Sequence, residues 1–589
     1  MDIPVLLPKI FNYPLTYGKG NIKSLSIGDI VEVPFGNKTE IGVVWNKQQT
    51  TSKKFKIKLV KKRFENLSIN ENLVHFINWF SSYNLVSKGL VLKMCISNKK
   101  SLFKEESSYK ESKILNKRKP FELNHDQKKS LSDLERFGNN FSVSVLQGVT
   151  GSGKTLVYFE KIKKVLKTNK QVLVMLPEIF LTNQFRERFS DFFGFEPCIW
   201  HSKVTPKTKR KIWQGVIKNK IKLVIGARSS LLLPFSKLGL IIIDEEHDTS
   251  YKQDEGVIYN ARDMAISRAN FEKIPIHLIT SVPSLETYNN VSNQKYRHIK
   301  INKRYNDYPL PETKIINLNL DKIKNKYIAN ETINFTKKYL AKGDQVLFFI
   351  NRRGYAPYLF CKKCRQKLTC PNCSLYLTYH KLNNKVICHH CAFEKKLQSE
   401  CSVNANCDFI MYGPGVEKIF DEIKEIFPEK KISIFSSDYL KTKEKRKIFF
   451  REINENKIDI IIGTQMISKG FNFPKLNCIV VIDADFSGRG YDLRTTEKNI
   501  QLYHQLSGRA GRFSSESLIV YQTLSPGNET LNELIKNKSE HFLKNEIIIR
   551  KKNNLPPFTR LISIIISSNE HHLSIRGAQE IKKVLKKIN

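Results

Sequence analysis

Eight cysteines lie between residues 361 and 407 of a 589-residue chain that contains 11 in all. They are Cys361, Cys364, Cys370, Cys373, Cys388, Cys391, Cys401 and Cys407. Three pairs have the C-x-x-C spacing that lets two thiolates reach one tetrahedral ion, and five residues separate the last pair. Such a cluster favours metal ligation over disulfides in a reducing compartment. We predict a zinc-binding insertion at 359–407 with two structural zinc ions.

A phosphate-binding motif, GVTGSGKT, occupies residues 148–155. It follows a short apolar run and precedes a helix-length amphipathic segment, which is the context in which this pattern binds nucleotides. Its glycines let backbone N–H groups surround phosphates, while Lys154 neutralises them and the Thr155 hydroxyl ligates Mg²⁺. The predicted ATP-binding residues are Gly148, Val149, Thr150, Gly151, Ser152, Gly153, Lys154 and Thr155.

Acids and arginines elsewhere complete a hydrolytic set. Asp244, at the end of an apolar run, is placed to hold Mg²⁺ with Thr155, and Glu245 to accept a proton from the attacking water. The segment QLSGRAGR, at 505–512, offers two arginines that could reach the γ-phosphate from a second lobe. We assign Gln505 to the ATP site and predict these catalytic residues: Lys154, Thr155, Asp244, Glu245, Arg509 and Arg512.

The elements that position these motifs are short apolar runs alternating with amphipathic helices, which indicates parallel sheets covered on both faces. One set of runs is 143–147, 171–176, 222–226, 240–244 and 276–280, and a second, after a polar stretch at 302–330, is 345–350, 408–412, 431–435, 458–463 and 478–483. The α/β fold therefore has two lobes, with the cysteines inserted between the first two strands of the second. Residues 27–45 alternate like a small β unit, 71–86 have helical spacing, 97–119 read as a linker, and 561–566 as a buried strand.

The net charge of +43 and pI near 9.7 favour a polyanionic partner, foremost nucleic acid. The alternative is that part of this charge is solvated surface. The N-terminus lacks the pattern of a signal peptide, and the apolar runs are far shorter than the ~20 residues that a membrane span needs. We expect a cytoplasmic protein without a membrane partner.

Candidate DNA contacts lie between the motifs. Arg228 and Ser229 follow an apolar run and could donate hydrogen bonds to phosphates. After the acidic motif, aromatic and basic groups are interleaved, as suits a single strand whose bases stack on rings. This second set is Tyr251, Lys252, Gln253 and Arg262. In the alternative reading, nearby Tyr259 packs in the core and the basic groups are solvated.

In their order, these motifs resemble superfamily 2 helicases, and more closely the PriA (primosomal protein N′) family of replication-restart DNA helicases. Further segments carry the resemblance over nearly the full chain. They are GARSSLLLPF (226–235), DEEHDTSYKQDEGVIYNARD (244–263), FFINRRGYAP (348–357), GTQMISKGFNFP (463–474) and LPPF (555–558).

The resemblance implies a domain order. RecA-like lobes would occupy 111–300 and 328–525, and a short, partial α+β C-terminal domain 526–589. An N-terminal β domain at 1–62 would hold the 3′ end of a nascent strand through Phe11, Asn12 and Tyr13, and a winged-helix domain would span 63–110. The family pattern also nests the cysteine pairs, with the first and fourth on one zinc ion and the second and third on the other.

The implied activity is that of a monomeric, ATP-dependent 3′ to 5′ DNA helicase that recognises stalled forks and promotes primosome assembly. Its partners would be forked and single-stranded DNA, primosomal proteins, the replicative helicase loader and single-stranded DNA-binding protein. Val282 replaces the usual Thr of S-A-T-P-S, the motif thought to couple hydrolysis to strand movement. Two alternatives therefore stay open: a fork-binding assembly platform with weak unwinding, and a duplex DNA translocase.

Overall fold

The computed structural model describes most of the chain outside the cysteine-rich region. Described are residues 2–46, 57–96, 121–136, 138, 140–177, 183–305, 307–318, 327–351, 358–361, 368, 370–371, 377–380, 385–387, 393–397, 409–412, 415–436, 439–440, 442–468, 473–485, 493–536, 539–562, 564, 566 and 568–588. The described chain forms two compact units, 1–539 and 540–589. Its described helices include none that is both long and apolar enough to span a membrane.

An antiparallel sheet of five strands opens the first unit, in the order β2-β1-β4-β3-β5. The strands are β1 (Asp2–Leu6), β2 (Leu15–Gly18), β3 (Asp29–Phe35), β4 (Lys38–Val44) and β5 (Lys62–Ser68). The predicted β unit is thus present, but the expected boundary at residue 62 is wrong. It falls at the first residue of β5, which pairs with β3 and continues the same sheet.

Helices α1 (Glu71–Asn84) and α2 (Lys88–Cys95) follow this sheet and pack on the neighbouring lobe. The Trp213 indole N–H of that lobe donates to the Cys95 carbonyl at 2.8 Å. Gly89 at the start of α2 lies so close to the N-terminal segment that a Cβ there would stand 2.0 Å from the Lys9 carbonyl oxygen. Within the described residues 63–96 these helices therefore join the N-terminal sheet to the lobe, and the expected separate winged-helix module is a wrong assignment there.

The first lobe is a sheet of seven parallel strands in the order β14-β6-β13-β10-β7-β9-β8, flanked by a two-stranded hairpin. Its strands are β6 (Ser142–Gly148), β7 (Gln171–Met175), β8 (Cys198–Trp200), β9 (Leu223–Gly226), β10 (Leu238–Asp244), β13 (Pro275–Thr280) and β14 (Arg297–Ile301), and the hairpin is β11 (Lys252–Gln253) and β12 (Tyr259–Asn260). Its helices are α3 (His125–Glu135), α4 (Lys154–Leu166), α5 (Asn183–Phe193), α6 (Pro206–Ile217), α7 (Ala261–Phe271) and α8 (Leu285–Ser292). All five predicted runs are strands, buried because helices cover both faces.

The second lobe is a parallel sheet of six strands in the order β15-β25-β24-β16-β23-β22. Its strands are β15 (Glu312–Asn317), β16 (Gln345–Phe349), β22 (Ile432–Phe435), β23 (Ile460–Gly463), β24 (Leu476–Val481) and β25 (Leu518–Thr523). Its helices are α9 (Asn330–Ala341), α10 (Val416–Ile426), α11 (Lys443–Asn454), α12 (Thr495–Ser507) and α13 (Glu529–Ile535). The lobe begins before the expected residue 328, because β15 arises from the stretch that we read as polar.

A separate antiparallel sheet, β20-β19-β18-β17-β21, comes from the cysteine-rich insertion. Its strands are β17 (Tyr358–Cys361), β18 (Thr378–His380), β19 (Lys385–Ile387), β20 (Glu394–Lys396) and β21 (Phe409–Tyr412). The run 408–412 was wrongly assigned to the parallel lobe, since β21 pairs with β17. Cys361 ends β17 and Cys370 is buried in the small core of this sheet. The remaining predicted ligands lie outside the described residues: Cys364, Cys373, Cys388, Cys391, Cys401 and Cys407.

The second unit contains most of helix α14 (Ser539–Lys552) and helix α15 (His571–Ile588). It therefore begins after the expected boundary at 526. The predicted buried strand at 561–566 is also wrong for its described residues. Leu561, Ile562 and Ile564 have exposed fractions of 64%, 82% and 54%. The described part of this unit contains no strand with which they could pair.

Candidate ATP site and DNA-facing segments

The phosphate loop joins the end of β6 at Gly148 to the first residue of α4, Lys154. Gly151 and Gly153 have φ values of +89° and +76°, which only glycine adopts without strain. The Lys154 ammonium folds back over the loop and donates to the Gly148 carbonyl at 2.7 Å. Burial lowers the pKa of Lys154, and the carboxylates of Glu245 and Asp244 oppose that shift. A half-buried cation at a helix N-terminus suits a phosphate group.

Gln127, a residue of helix α3 that the sequence analysis did not predict at the site, hydrogen-bonds to this loop. Its amide nitrogen donates to the Ser152 carbonyl at 2.9 Å, and its amide oxygen accepts from the Asn124 N–H at 3.0 Å. The Asn124 side-chain oxygen accepts in turn from the Gln127 N–H at 3.0 Å, which completes a capping box. The N-x-x-Q spacing was visible in the sequence, but its contact with the phosphate loop was not.

Asp244 lies at the carboxyl end of β10, facing the first turns of α4. Its Oδ2 accepts from the Tyr158 hydroxyl at 3.0 Å, and Tyr158 is a buried residue that we did not predict at the site. Burial, followed by repulsion from Glu245, raises the pKa of Asp244 to about 7. Two adjacent half-buried carboxylates whose charges repel are a donor set that fits a divalent cation. Asp244 and Thr155 would hold Mg²⁺, which when bound offsets charge on the transferred phosphoryl group.

Glu245 and His247 connect the acidic motif to two other segments of the site, one around Gln505 and one around Thr280. The Gln505 amide donates to Glu245 Oε2 at 3.2 Å and lies 3.0 Å from His247 Nε2. On the other side, His247 Nδ1 lies 2.8 Å from the Thr280 hydroxyl oxygen, and that hydroxyl donates to the Val282 carbonyl. Since the Thr280 proton is so used, His247 donates from Nδ1 and accepts at Nε2.

The arginine segment of the second lobe lies directly on the phosphate loop. A Cβ on Gly508 would stand 2.0 Å from Thr150 Cβ, so the two backbones approach as closely as a glycine permits. Arg509 is 6% exposed and burial lowers its pKa to about 10. Burial also lowers the pKa of Arg512, and Arg509, Arg188 and Arg304 lower it further. The structure thus brings all six predicted catalytic residues into one cationic cleft, to which α5 adds the unpredicted Arg188.

Two predicted DNA contacts are wrong, because their side chains are buried. Tyr251 is 1% exposed, and its single hydroxyl proton is shared between the Asp244 carbonyl oxygen at 2.6 Å and the Met175 carbonyl oxygen at 3.0 Å. Arg262 is 5% exposed and pairs with Glu246 at 3.1 Å. Both residues hold the acidic motif in place instead. Tyr259 is buried as well, as the alternative reading had it.

Replacing Arg262 should cost stability rather than DNA affinity. Its guanidinium pairs with Glu246, and that carboxylate also accepts from the Ser284 N–H at 2.7 Å, so Arg262→Ala leaves a buried charge without its ionic partner. We expect the free energy of unfolding to fall by about 3–5 kcal/mol in urea titrations. The exposed Lys252→Ala control should change it by no more than about 0.5 kcal/mol. An Arg262→Ala protein of normal stability but weakened DNA binding would restore the DNA assignment.

The other predicted DNA residues reach the surface. Asn12 and Tyr13 are exposed, and the half-buried Phe11 ring lies 6.1 Å from that of Tyr13. On the first lobe Ser229 and Lys252 are exposed, whereas Arg228 and Gln253 are half-buried and donate to backbone carbonyls. Trp200, which we did not predict, donates its indole N–H to the Ser229 hydroxyl at 3.1 Å.

Family models match the chain in the order of these structural parts. The match at 1–97 is the 3′DNA-binding domain (3′BD) of PriA, which agrees with a unit that extends past residue 62. DEAD/DEAH box helicase matches 124–289, and the helicase conserved C-terminal domain matches 392–514. The PriA DNA helicase Cys-rich region (CRR) domain, a zinc ribbon, matches 370–396. The chain therefore carries helicase lobes, a DNA-binding domain and a zinc-binding region, with ATP and Mg²⁺ as the cofactors of such lobes.

Curated relatives cover nearly the whole chain. Replication restart protein PriA of Rickettsia conorii is 40% identical over 99% of this chain and 90% of its own length. The protein of the same name from Rickettsia prowazekii is 41% identical over the same shares. That of Bacillus subtilis is 32% identical over 83% of this chain and 62% of its own. At such identity and coverage, with phosphate loop, acids and arginines assembled in one cleft, the chain belongs to the PriA family of replication restart proteins.

Proposed function

We propose that this protein is an ATP-driven 3′ to 5′ DNA helicase that acts at stalled or abandoned replication forks. The observation that carries the proposal is the contact of Gln505, from the second lobe, with Glu245 and His247 of the first. A purely structural pair of lobes has no need of a phosphate loop, paired carboxylates and arginines at one seam. The family membership supplies the replication-restart role.

In this site each residue has a distinct task. Lys154 and the loop N–H groups bind the β- and γ-phosphates, and Asp244 and Thr155 hold the metal ion. Glu245 accepts a proton from the attacking water, and Arg509 and Arg512 stabilise charge on the γ-phosphoryl oxygens. Because these groups come from both lobes, hydrolysis requires the lobes to be together.

The proposed substrate is forked DNA, with the 3′ end held by the N-terminal sheet at Phe11, Asn12 and Tyr13. The exposed Tyr13 ring and the half-buried Phe11 ring can stack on a terminal nucleotide, and the exposed Asn12 amide can hydrogen-bond it. Ser229, Arg228, Lys252 and Gln253 would follow the strand across the first lobe. By family membership we further propose a cytoplasmic monomer that recruits primosomal proteins, the helicase loader and single-stranded DNA-binding protein.

ATP hydrolysis and strand separation, measured on the same fork, test this function. We expect DNA-stimulated hydrolysis and ATP-dependent release of a strand from forks that carry a 3′ single-stranded tail, and none from 5′-tailed forks. Fork binding without hydrolysis would favour the assembly platform. Hydrolysis with triplex displacement from duplex, but without strand release, would favour the duplex translocase.

The coupling of ATP hydrolysis to strand separation should depend on Thr280. Its hydroxyl contacts His247, whereas Val282 takes part in this network only through its backbone carbonyl. Thr280→Val leaves the His247 Nδ1–H without its acceptor, so we expect ATP hydrolysis to stay within about threefold while unwinding falls about tenfold. Val282→Thr, the matched control, should change either rate by less than about twofold. A large gain in unwinding from Val282→Thr would instead show that the native motif is uncoupled.

The zinc-binding region should contain two zinc ions if all eight cysteines are ligands. Metal analysis of purified protein is expected to give about two zinc per chain, and Cys388→Ser about one, since a lost thiolate opens one site. The buried Cys198, in the first lobe, provides the control: Cys198→Ser should leave the zinc content unchanged. One zinc ion in the native protein would mean that one of the two sites is unfilled, and Cys401→Ser would then leave the zinc content unchanged if the fourth pair is the one that does not ligate.

A further inference from the structure

Arg304 lies three residues after β14, in the segment that joins the two lobes, and it is 5% exposed. Its guanidinium donates to four backbone carbonyls. Those of Gly511 and Pro309 are 2.7 and 3.1 Å from Nη1, and those of Ala510 and Ser507 are 3.2 and 3.3 Å from Nη2. Three of the four belong to the end of α12 and the loop that carries Arg509 and Arg512.

Among the described residues no carboxylate raises the pKa of this buried cation, which burial alone lowers to about 10. One of its partners, the Ser507 carbonyl, is at the C-terminal end of α12, where the helix dipole is negative. The planar guanidinium holds its donors on separate nitrogens in a fixed fork, so it reaches four spaced carbonyls at once, whereas an ammonium offers three rotatable donors from one nitrogen. Arg304 therefore fixes the shape of the arginine loop rather than balancing a charge.

The next residue ties the same segment to the phosphate loop. The Tyr305 N–H donates to the Gly151 carbonyl at 2.9 Å, and its hydroxyl donates to the Glu122 carbonyl at 3.1 Å. Arg304 Cγ lies 3.8 Å from the position that a Cβ on Gly151 would take, which is an ordinary van der Waals distance. Arg304 thus contacts the arginine loop of the second lobe, and Tyr305 contacts the phosphate loop of the first.

We propose that Arg304 is a positioning residue for hydrolysis, which holds the loop bearing Arg509 and Arg512 in register with the phosphate loop. This inference rests on the proposed ATPase function. Misplacement of a catalytic group by about 1 Å can cost on the order of 100-fold in rate. Arg304 touches no reacting atom, so its effect is exerted through the two arginines.

Steady-state ATP hydrolysis on forked DNA gives the first test. Arg304→Gln should lower kcat about 30-fold or more while the KM for ATP changes by less than about threefold, because the phosphate loop stays intact. Arg304→Lys keeps the charge but not the fork, and should recover only part of that loss. The exposed neighbouring cation supplies the matched control, since Lys303→Gln should leave kcat and KM unchanged.

A double-mutant cycle with Arg509→Ala distinguishes a loss of arginine-loop positioning from a general loss of native structure. Single-turnover phosphate release at excess enzyme keeps slow rates measurable. If Arg304 acts through the arginine loop, the Arg304→Gln/Arg509→Ala protein should hydrolyse ATP within about twofold of Arg509→Ala alone. If Arg304→Gln does not fold, the same cycle with Arg304→Lys decides.

Two results would overturn the inference: native kcat in the Arg304 variants, or rate losses that multiply in the double variant. Wild-type protein without DNA-stimulated hydrolysis would refute the proposed function instead. The two failures are therefore distinguishable in one set of assays.

Discussion

Lys154→Ala should abolish DNA-stimulated ATP hydrolysis, with a fall in kcat of about 1,000-fold. The ammonium lies over the phosphate loop at 2.7 Å from the Gly148 carbonyl, half-buried and close to Asp244 and Glu245. When a triphosphate binds there, the same ammonium offsets charge on the β- and γ-oxygens. Alanine removes that charge, and a neutral water molecule in its place would supply no cation.

The measurement is phosphate release on forked DNA at saturating ATP. Lys163→Ala, on the exposed face of the same helix, controls for the loss of a lysine and should keep kcat within about twofold. Fork affinity without ATP should be unchanged in both variants, because the predicted DNA contacts lie elsewhere. Residual DNA-stimulated hydrolysis near the native rate in Lys154→Ala would show that ATP is bound at another site.

Glu245→Gln should stop hydrolysis while leaving ATP bound. Glu245 sits in a left-handed conformation, with φ of +50°, and its Oε2 accepts from the Gln505 amide. A glutamine side chain fills the same space but cannot take a proton from water. We expect kcat to fall by about 100- to 10,000-fold with a KM change below about threefold.

The trapped state gives a second readout for this variant. Because ATP would remain between the lobes, Glu245→Gln should bind single-stranded DNA with an ATP dependence that persists for many minutes, whereas the native protein releases it on hydrolysis. Glu255→Gln, an exposed acid beyond the motif, is the control and should behave as native. Hydrolysis within threefold of native in Glu245→Gln would remove this residue from the proton-transfer step.

Much of the fold was predictable because its signals are local. Each apolar run of the first lobe became a parallel strand, since a strand buried on both faces must be apolar along its whole length. The same rule failed at 408–412 and 561–566, where an apolar run does not specify its pairing partner. Residues 312–317, in contrast, form an edge strand of half-buried residues, and their mixed composition hid it.

The residues of the site also differ in how well the sequence predicts them. Motif residues such as Lys154 and Asp244 were found because their chemistry requires those types at those positions. Tyr251 and Arg262 were wrongly assigned to DNA binding, because aromatic and basic residues occur on DNA-binding surfaces and also in buried hydrogen-bond networks. Gln127 and Arg304 were missed, because they act on backbone carbonyls whose positions depend on the folded chain.

The glycine at 508 sets the width of the cleft. Its φ of −75° is open to any residue, so glycine is not required there for backbone freedom. What it provides is the absence of a side chain where Thr150 lies. A single methyl group at this position would act as a wedge that holds the lobes apart by on the order of 1 Å, enough to withdraw both arginines from the phosphates. The absence of a side chain at position 508 therefore determines whether the two lobes can approach closely enough to form one active site.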